Sequence, residues 1–180
     1  MAKKGQVSIY EAQKAGKPAI EDVCEQILTD PVLREGMTGL LALSREIHMK
    51  PCWFVTNTWK CSYKGKRVVT YGVGRGDRME TNYLKISVFF SDVDKSDLDA
   101  FFEAQSEEMR TECISGMKCR GCGGCKPGIK QNILGRQYMI CWKACYERHN
   151  PTLEQFQWIE KMILARREYI KTKQYPIRTP

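Results

Sequence analysis

Hydrophobic residues recur with helical spacing in the first third of the chain. The first stripe follows the i, i+3, i+4, i+7, i+8 pattern of an amphipathic helix and consists of Ile20, Val23, Cys24, Ile27 and Leu28. Asp30 followed by Pro31 is a typical N-cap and first helical residue, which predicts a second helix that runs to about Ile47. Residues 1–16 are expected to form a polar arm ahead of these helices.

The pattern changes to that of β-strands after Pro51. Aromatic and β-branched residues dominate positions 52–90, and the Tyr63-Lys64-Gly65-Lys66 sequence predicts a tight turn between two strands. The clearest strand is 82–90, where the residues at alternate positions predict one buried face: Leu84, Ile86, Val88 and Phe90. The glycine-rich segment 72–78 lacks phosphate-loop spacing and a following helix, so a connection between strands is expected there.

Helical periodicity returns at 92–109. A hairpin over 129–142 that turns at Gly135-Arg136 is then expected, followed by a last helix capped by Asn150-Pro151. This order predicts an α+β fold, in which helices pack on an antiparallel sheet and a cysteine-rich hairpin precedes the C-terminal helix. The length favours a single domain over residues 1–180, with residues 113–145 as a cysteine-rich subregion within it.

Composition narrows the class of protein. Apolar content of 42% and charged content of 28% are typical of a globular domain, and no apolar run reaches the length of a membrane span. The N-terminal lysines are not followed by the apolar region of a secretory signal, so a cytoplasmic location is expected. In that reducing compartment, clustered thiols more often bind a metal or do redox chemistry than form structural disulfides.

The net charge of +8, from 29 basic and 21 acidic residues, permits an anionic partner. However, no Arg/Lys cluster is longer than a pair. A solvated basic surface is therefore favoured over a nucleic-acid site, and a small ligand or a protein is the expected partner. If the protein did bind nucleic acid tightly at physiological salt, the basic residues expected to bind it are Lys60, Lys64, Lys66, Arg67, Arg75 and Arg78.

The most informative stretch is 113–145, which contains six of the nine cysteines: Cys113, Cys119, Cys122, Cys125, Cys141 and Cys145. Four thiolates at tetrahedral positions form a closed, structural zinc site. C-x-x-C pairs in a glycine-rich segment, with one more cysteine after a loop, are typical of such sites. The predicted zinc ligands are Cys119, Cys122, Cys125 and Cys141, with Cys113 and Cys145 as alternates.

Two other chemistries fit the same cysteines. The C-x-x-C-x-x-C run begins like that of a ferredoxin, although the position expected for the fourth ligand is Ile129, so an iron–sulfur cluster would need a distant ligand. Lys118, Arg120 and Lys126 would lower the pKa of neighbouring thiols, which supports thiol-based redox chemistry.

The other cysteines and the histidines carry weaker signals. Cys24, on its apolar stripe, and Cys52 and Cys61, in the first strands, are expected to be packing residues. His48 is expected at a helix end on the surface. It and His149 are the only histidines, and no catalytic constellation stands out, so an enzyme is disfavoured.

The segment from about Leu33 to Phe90 resembles small bacterial YdhG-like (frataxin-like) domains. The resemblance rests on a tryptophan and on the Tyr63-Lys64-Gly65-Lys66 turn, which lie at comparable places. That resemblance implies helices ahead of a twisted sheet. The second half, with Cys119 to Cys125 and then Asn150-Pro151, is similar to bacterial proteins with a cysteine cluster followed by an Asn-Pro-capped helix. Together with the residue patterns, these features predict a small binding protein that recognises its ligand through its sheet and has a structural zinc site. The alternative is a thiol-based or iron–sulfur redox protein.

Overall fold

A computed structural model describes residues 9–75, 82–119, 128–141 and 145–173 of the chain. The helices in these residues are α1 (Ile9–Gly16), α2 (Ile20–Ile27), α3 (Pro31–Glu46), α4 (Lys95–Glu103), α5 (Glu107–Met117) and α6 (Leu153–Thr172). The strands are β1 (Cys52–Val55), β2 (Thr58–Tyr63), β3 (Lys66–Arg75), β4 (Asn82–Phe89), β5 (Ile129–Ile133), β6 (Arg136–Ile140) and β7 (Cys145–His149).

The main sheet has five strands in the order β1-β2-β3-β4-β7, and every neighbouring pair is antiparallel. β5 and β6 form a separate two-stranded hairpin. Helices pack on the main sheet, so the predicted α+β class, with an antiparallel sheet covered by helices, is confirmed.

The alternation along β3 and β4 gives the sheet one apolar face, here called the core face. Val69, Tyr71 and Val73 on β3 lie opposite Val88, Ile86 and Leu84 on β4, and all six side chains are fully buried. Helices cover this face, with α2 and α6 on β3, α6 on β4 and α5 on β7. The buried side chains of all these elements form one hydrophobic cluster, which is the core.

The residues in two tight hairpin turns adopt the backbone conformation that such turns require. Lys64 and Gly65 join β2 to β3, and Leu134 and Gly135 join β5 to β6, and all four residues have positive φ. Two consecutive positive φ values match the right-handed twist of the flanking strands. The second turn lies one residue earlier than the sequence predicted.

The helix caps agree in part with the sequence. The Asp30 carboxylate accepts hydrogen bonds from the amides of Val32 (2.8 Å) and Leu33 (3.4 Å), so the predicted cap of α3 is confirmed. The predicted cap of α6 is wrong: Thr152 caps it, with a reciprocal pair of bonds to Gln155. Asn150 instead extends the ladder between β4 and β7, where its side-chain oxygen accepts from the Leu84 amide at 2.8 Å.

Three other elements differ from the sequence prediction. Part of the expected polar arm is α1, and β7 had not been predicted. The single helix expected over 92–109 is two helices, because the Ser106 side chain caps α5 and Arg110 bonds the carbonyls of Phe102 and Gln105 at the break. In the glycine-rich segment, residues 72–75 belong to β3, while 76–78 lie outside the described residues.

None of the described helices has an apolar stretch long enough to cross a membrane. α6 is 20 residues long, but charged residues occur along its whole length.

Candidate functional site

Cys119 and Cys141 lie on neighbouring backbone segments at the base of the β5–β6 hairpin. The Cys119 amide donates to the Met139 carbonyl at 2.9 Å, and the Cys141 amide donates to the Met117 carbonyl at 2.9 Å. Lys118 and Ile140 form an antiparallel bridge between these two bonds. The end of α5 is thereby joined to the end of β6, although about twenty residues separate them in sequence.

Gly128 lies against the same two segments. A Cβ on Gly128 would stand 2.3 Å from the Ile140 carbonyl oxygen and 2.7 Å from the Cys119 Cβ, which only glycine avoids. The chain therefore returns at Gly128 to the place that it left at Cys119. We call residues 117–119, 139–141 and Gly128 the neck.

The four predicted zinc ligands fall into two groups. Cys119 and Cys141 are in the neck, where both are partly exposed. Cys122 and Cys125 lie outside the described residues. Within the described ranges alone, no group of three or more Cys, His, Asp or Glu side chains could hold a metal.

The two alternate ligands are buried. Cys113 lies on α5 with no exposed surface, and its thiol contacts the Met162 sulfur at 3.5 Å. Burial, together with the neighbouring Glu112 carboxylate, raises the pKa of the Cys113 thiol to about 12. Cys145 is buried on β7, opposite Phe89. Cys113 is therefore a poor metal ligand, because metals bind the thiolate.

Two of the three remaining cysteines are packing residues, as expected. Cys24 and Cys61 are buried, and burial raises the pKa of each thiol to about 12. The same expectation was wrong for Cys52, which is exposed on the edge strand β1. His48 is exposed just after α3 with a φ of 60°, as predicted for a helix-terminal histidine.

The face of the sheet opposite the core face is polar, and we call it the polar face. Two rows of residues cross it from strand to strand. One row is Cys52, Lys60, Thr70, Ser87 and Glu147. The other row is Val55, Thr58, Gly72, Lys85 and His149. Apart from Ser87 and Gly72, every residue in the two rows is half-buried or exposed.

Aromatic rings and cations meet at one end of the polar face. The Arg67 guanidinium lies 4.9 Å from the centre of the Phe54 ring and 5.0 Å from that of Phe89. The Lys60 ammonium is 5.0 Å from the centre of the Phe54 ring. These four residues, from strands β1 to β4, are called the ring–cation cluster. Phe54 keeps 37% of its surface exposed.

A polar network occupies the opposite edge, on β4 and β7. The Lys85 ammonium lies 2.9 Å from the Glu147 carboxylate, which also accepts a bond from Ser87 and lies 3.4 Å from His149. Partial burial alone would raise the pKa of Glu147, but its contacts with Lys85 and His149 hold that pKa below its usual value. Glu147 is therefore ionised near neutral pH and holds Lys85 in place.

Small side chains lie between the ring–cation cluster and this network. Thr70 and Gly72 on β3 and Ser87 on β4 form a shallow floor, with Lys60 on one side and Lys85 on the other. Gly72 and Ser87 are buried, and the Ser87 hydroxyl bonds Glu147, so the accessible part of this floor is Thr70. The polar face thus combines exposed rings, cations and hydroxyl donors on one rigid surface.

This face is not evident from the sequence alone. The signal was present in the positions that alternate with the buried ones, since Lys85, Ser87 and Phe89 face away from Ile86 and Val88. What the sequence lacked was the register, which places Arg67 between Phe54 and Phe89.

Comparisons of the chain with family models, curated proteins and solved structures found no match. The resemblance to YdhG-like domains and to cysteine-cluster proteins therefore stays an expectation.

Proposed function

We propose that the protein is a small, non-enzymatic binding protein with two working parts. The polar face recognises the ligand. The cysteine-rich segment binds one structural zinc ion through Cys119, Cys122, Cys125 and Cys141.

The neck is the observation that supports the zinc site. It brings Cys119 and Cys141 onto adjacent antiparallel segments, and Gly128 returns the chain to the same point. Cys122 and Cys125 lie between Cys119 and Gly128 in sequence, so both ends of the stretch that contains them are tied to the neck.

Ligand chemistry favours the same four cysteines. Cys119 and Cys141 are partly exposed, whereas Cys113 is enclosed in the core, where a thiolate is costly, and Cys145 is buried on β7. A site with four thiolates has no open position for substrate, which makes it structural and not catalytic. In a reducing cytoplasm the thiols would be available for metal.

The metal content of the purified protein tests this proposal. We expect one zinc per chain and no visible absorption, with the metal lost in Cys141→Ser and retained in Cys52→Ser. Cys52→Ser is the matched control because it also removes an exposed thiol, but on β1.

The competing proposal of a redox protein makes different predictions for the same sample. An iron–sulfur cluster would give a brown protein that contains iron and labile sulfide. A thiol redox protein would contain no metal and would form a reversible disulfide within residues 113–145. Either result would overturn the zinc proposal.

A further inference from the structure

We infer that the polar face binds single-stranded nucleic acid, with bases at the ring–cation cluster and phosphates at Lys60 and Arg67. The inference rests on the proposed function, because it identifies the ligand of the face proposed there.

The charge of the face favours a polyanion. Its basic side chains are Lys60, Arg67 and Lys85, and the carboxylate among its described residues is Glu147. Glu147 is engaged by Lys85, whereas neither Lys60 nor Arg67 forms an ion pair with any other residue that the structure describes. Two cations on one face are therefore available to phosphate groups.

The rings favour a ligand that carries bases. Phe54 is on the edge strand β1 and is partly exposed, and the Arg67 guanidinium lies between its ring and that of Phe89. Unstacked bases bind to aromatic rings and to guanidinium planes, which makes such surfaces typical of single-strand binding. Lys60 and Arg67 can turn from the rings towards phosphate, since a cation–π contact at an exposed site is weak.

The shape of the face favours a single strand over a duplex. The floor formed by Thr70, Gly72 and Ser87 belongs to a sheet, not to a projecting helix that would enter a major groove. The hydroxyl group of Thr70, which is half-buried, can donate to phosphate or base oxygens. Stacking and hydrogen bonding of this kind require bases that are not already paired.

This inference revises the view that the basic residues are merely a solvated surface. That view relied on the absence of a basic run along the chain. The register of the sheet brings Lys60 and Arg67 together from two different strands, around the Phe54 ring. Such a cluster does not show as a run in the sequence.

Fluorescence anisotropy with labelled 12-nucleotide oligo(dT) and oligo(U) tests the inference on the full-length protein, at low salt and at 150 mM salt. We expect the wild type to bind and the double variant Lys60→Glu/Arg67→Glu to bind at least tenfold more weakly. The salt dependence should also fall in the variant, by about 0.7 in the slope of log K against log salt for each phosphate that it no longer neutralises.

The control is Lys171→Glu, which reverses one charge where the double variant reverses two. Lys171 is an exposed lysine on α6, the helix that packs on the core face, so this change alters the net charge and leaves the polar face intact. We expect less than a twofold decrease in affinity. Phe54→Ala should weaken binding without changing the salt slope, and circular dichroism should show that each variant is folded.

Several outcomes would overturn the inference. The first is that the wild-type protein binds neither oligonucleotide. The second is that Lys171→Glu lowers the affinity as much as Lys60→Glu/Arg67→Glu does. The third is that poly-glutamate competes as effectively as unlabelled oligonucleotide. Zinc is measured on the same samples. Zinc-loaded protein without oligonucleotide binding refutes nucleic acid as the ligand, whereas zinc-free protein that binds through Lys60 and Arg67 refutes the metal site.

Discussion

Gly36 on α3 lies directly against the aromatic ring of Phe156 on α6. A Cβ on Gly36 would stand 2.3 Å from the Phe156 ring, a distance that packed atoms do not adopt. The missing side chain lets the two helices approach closely over the sheet. Gly36 therefore has a packing role between α3 and α6.

Gly36→Ala should destabilise the protein by about 1–3 kcal/mol, because an inserted methyl group displaces a buried ring. The gain in helix propensity, about 1 kcal/mol at most, does not offset this cost. Gly39→Ala is the matched control on the same helix, since its Cβ would meet nothing within 4 Å. We expect the control to stabilise by about 0.5–1 kcal/mol. Urea denaturation measures both, and equal effects would contradict the packing role.

Gly128→Ala should open the neck. Its Cβ would meet the Ile140 carbonyl oxygen and the Cys119 Cβ, which are backbone and first side-chain atoms and cannot rotate away. We expect lower zinc retention during dialysis against a chelator, and faster proteolysis between residues 119 and 141. Fragments cut within β3 or β4 should not increase, because those strands form the core of the sheet.

Gly135→Ala is the comparison for the neck variant. Gly135 has a φ of 77° in the β5–β6 turn, so alanine there strains the hairpin without touching Cys119 or Cys141. The variant should keep its zinc. Loss of zinc from Gly135→Ala but not from Gly128→Ala would show that the hairpin, and not the neck, holds the segment.

The sequence predicted the elements whose signals are local. The alternation of Leu84, Ile86 and Val88 predicted the core face, and Asp30-Pro31 predicted the start of α3. The prediction from sequence failed where contacts between residues distant in sequence determine the local structure. In β7 the inward residues are Tyr146 and Arg148, which bond the Glu112 carboxylate of α5 and so mask the apolar pattern of a strand.

In the candidate sites, too, local sequence signals were predicted and features that depend on tertiary contacts were not. Spacing was enough to place Cys119 and Cys141 among the predicted ligands, but it could not show that Cys113 is buried against Met162, because that burial is a property of the packed core. The polar face depends on the register of five strands, which no local pattern encodes.

Thiol labelling should separate the cysteines by burial. Cys24, Cys61 and Cys113 are enclosed, with pKa values of about 12, so they should not react with a thiol reagent in the native protein at pH 8. Cys52 is exposed and should react within minutes. Mass spectrometry of labelled peptides identifies the sites, and complete unfolding in guanidinium provides the control in which all of them react. Native labelling of Cys113 would contradict its place in the core.

Glu112 links three elements, since its carboxylate accepts from Tyr146 and Arg148 on β7 and from Gln155 on α6. Partial burial alone would raise the pKa of Glu112, but these donors, Arg148 foremost, hold it below the usual value. A carboxyl group whose pKa is lower in the folded state stabilises the fold above its unfolded pKa of about 4.3, and this contribution is lost as pH falls through the folded value. The free energy of unfolding should therefore decrease with acid below about pH 5.

Glu112→Gln should lower the free energy of unfolding at pH 7 by about 2–4 kcal/mol, because it leaves Arg148 half-buried without its carboxylate. The variant should also lose part of the decrease below pH 5, so its stability and that of the wild type converge in acid. Glu25→Gln, at an exposed position of α2, is the control and should change neither quantity by more than about 0.5 kcal/mol. Urea titrations at a series of pH values between 3 and 7 measure both effects. Parallel curves for Glu112→Gln and the wild type would show that the ionised carboxylate is not what stabilises the contact between α5 and β7.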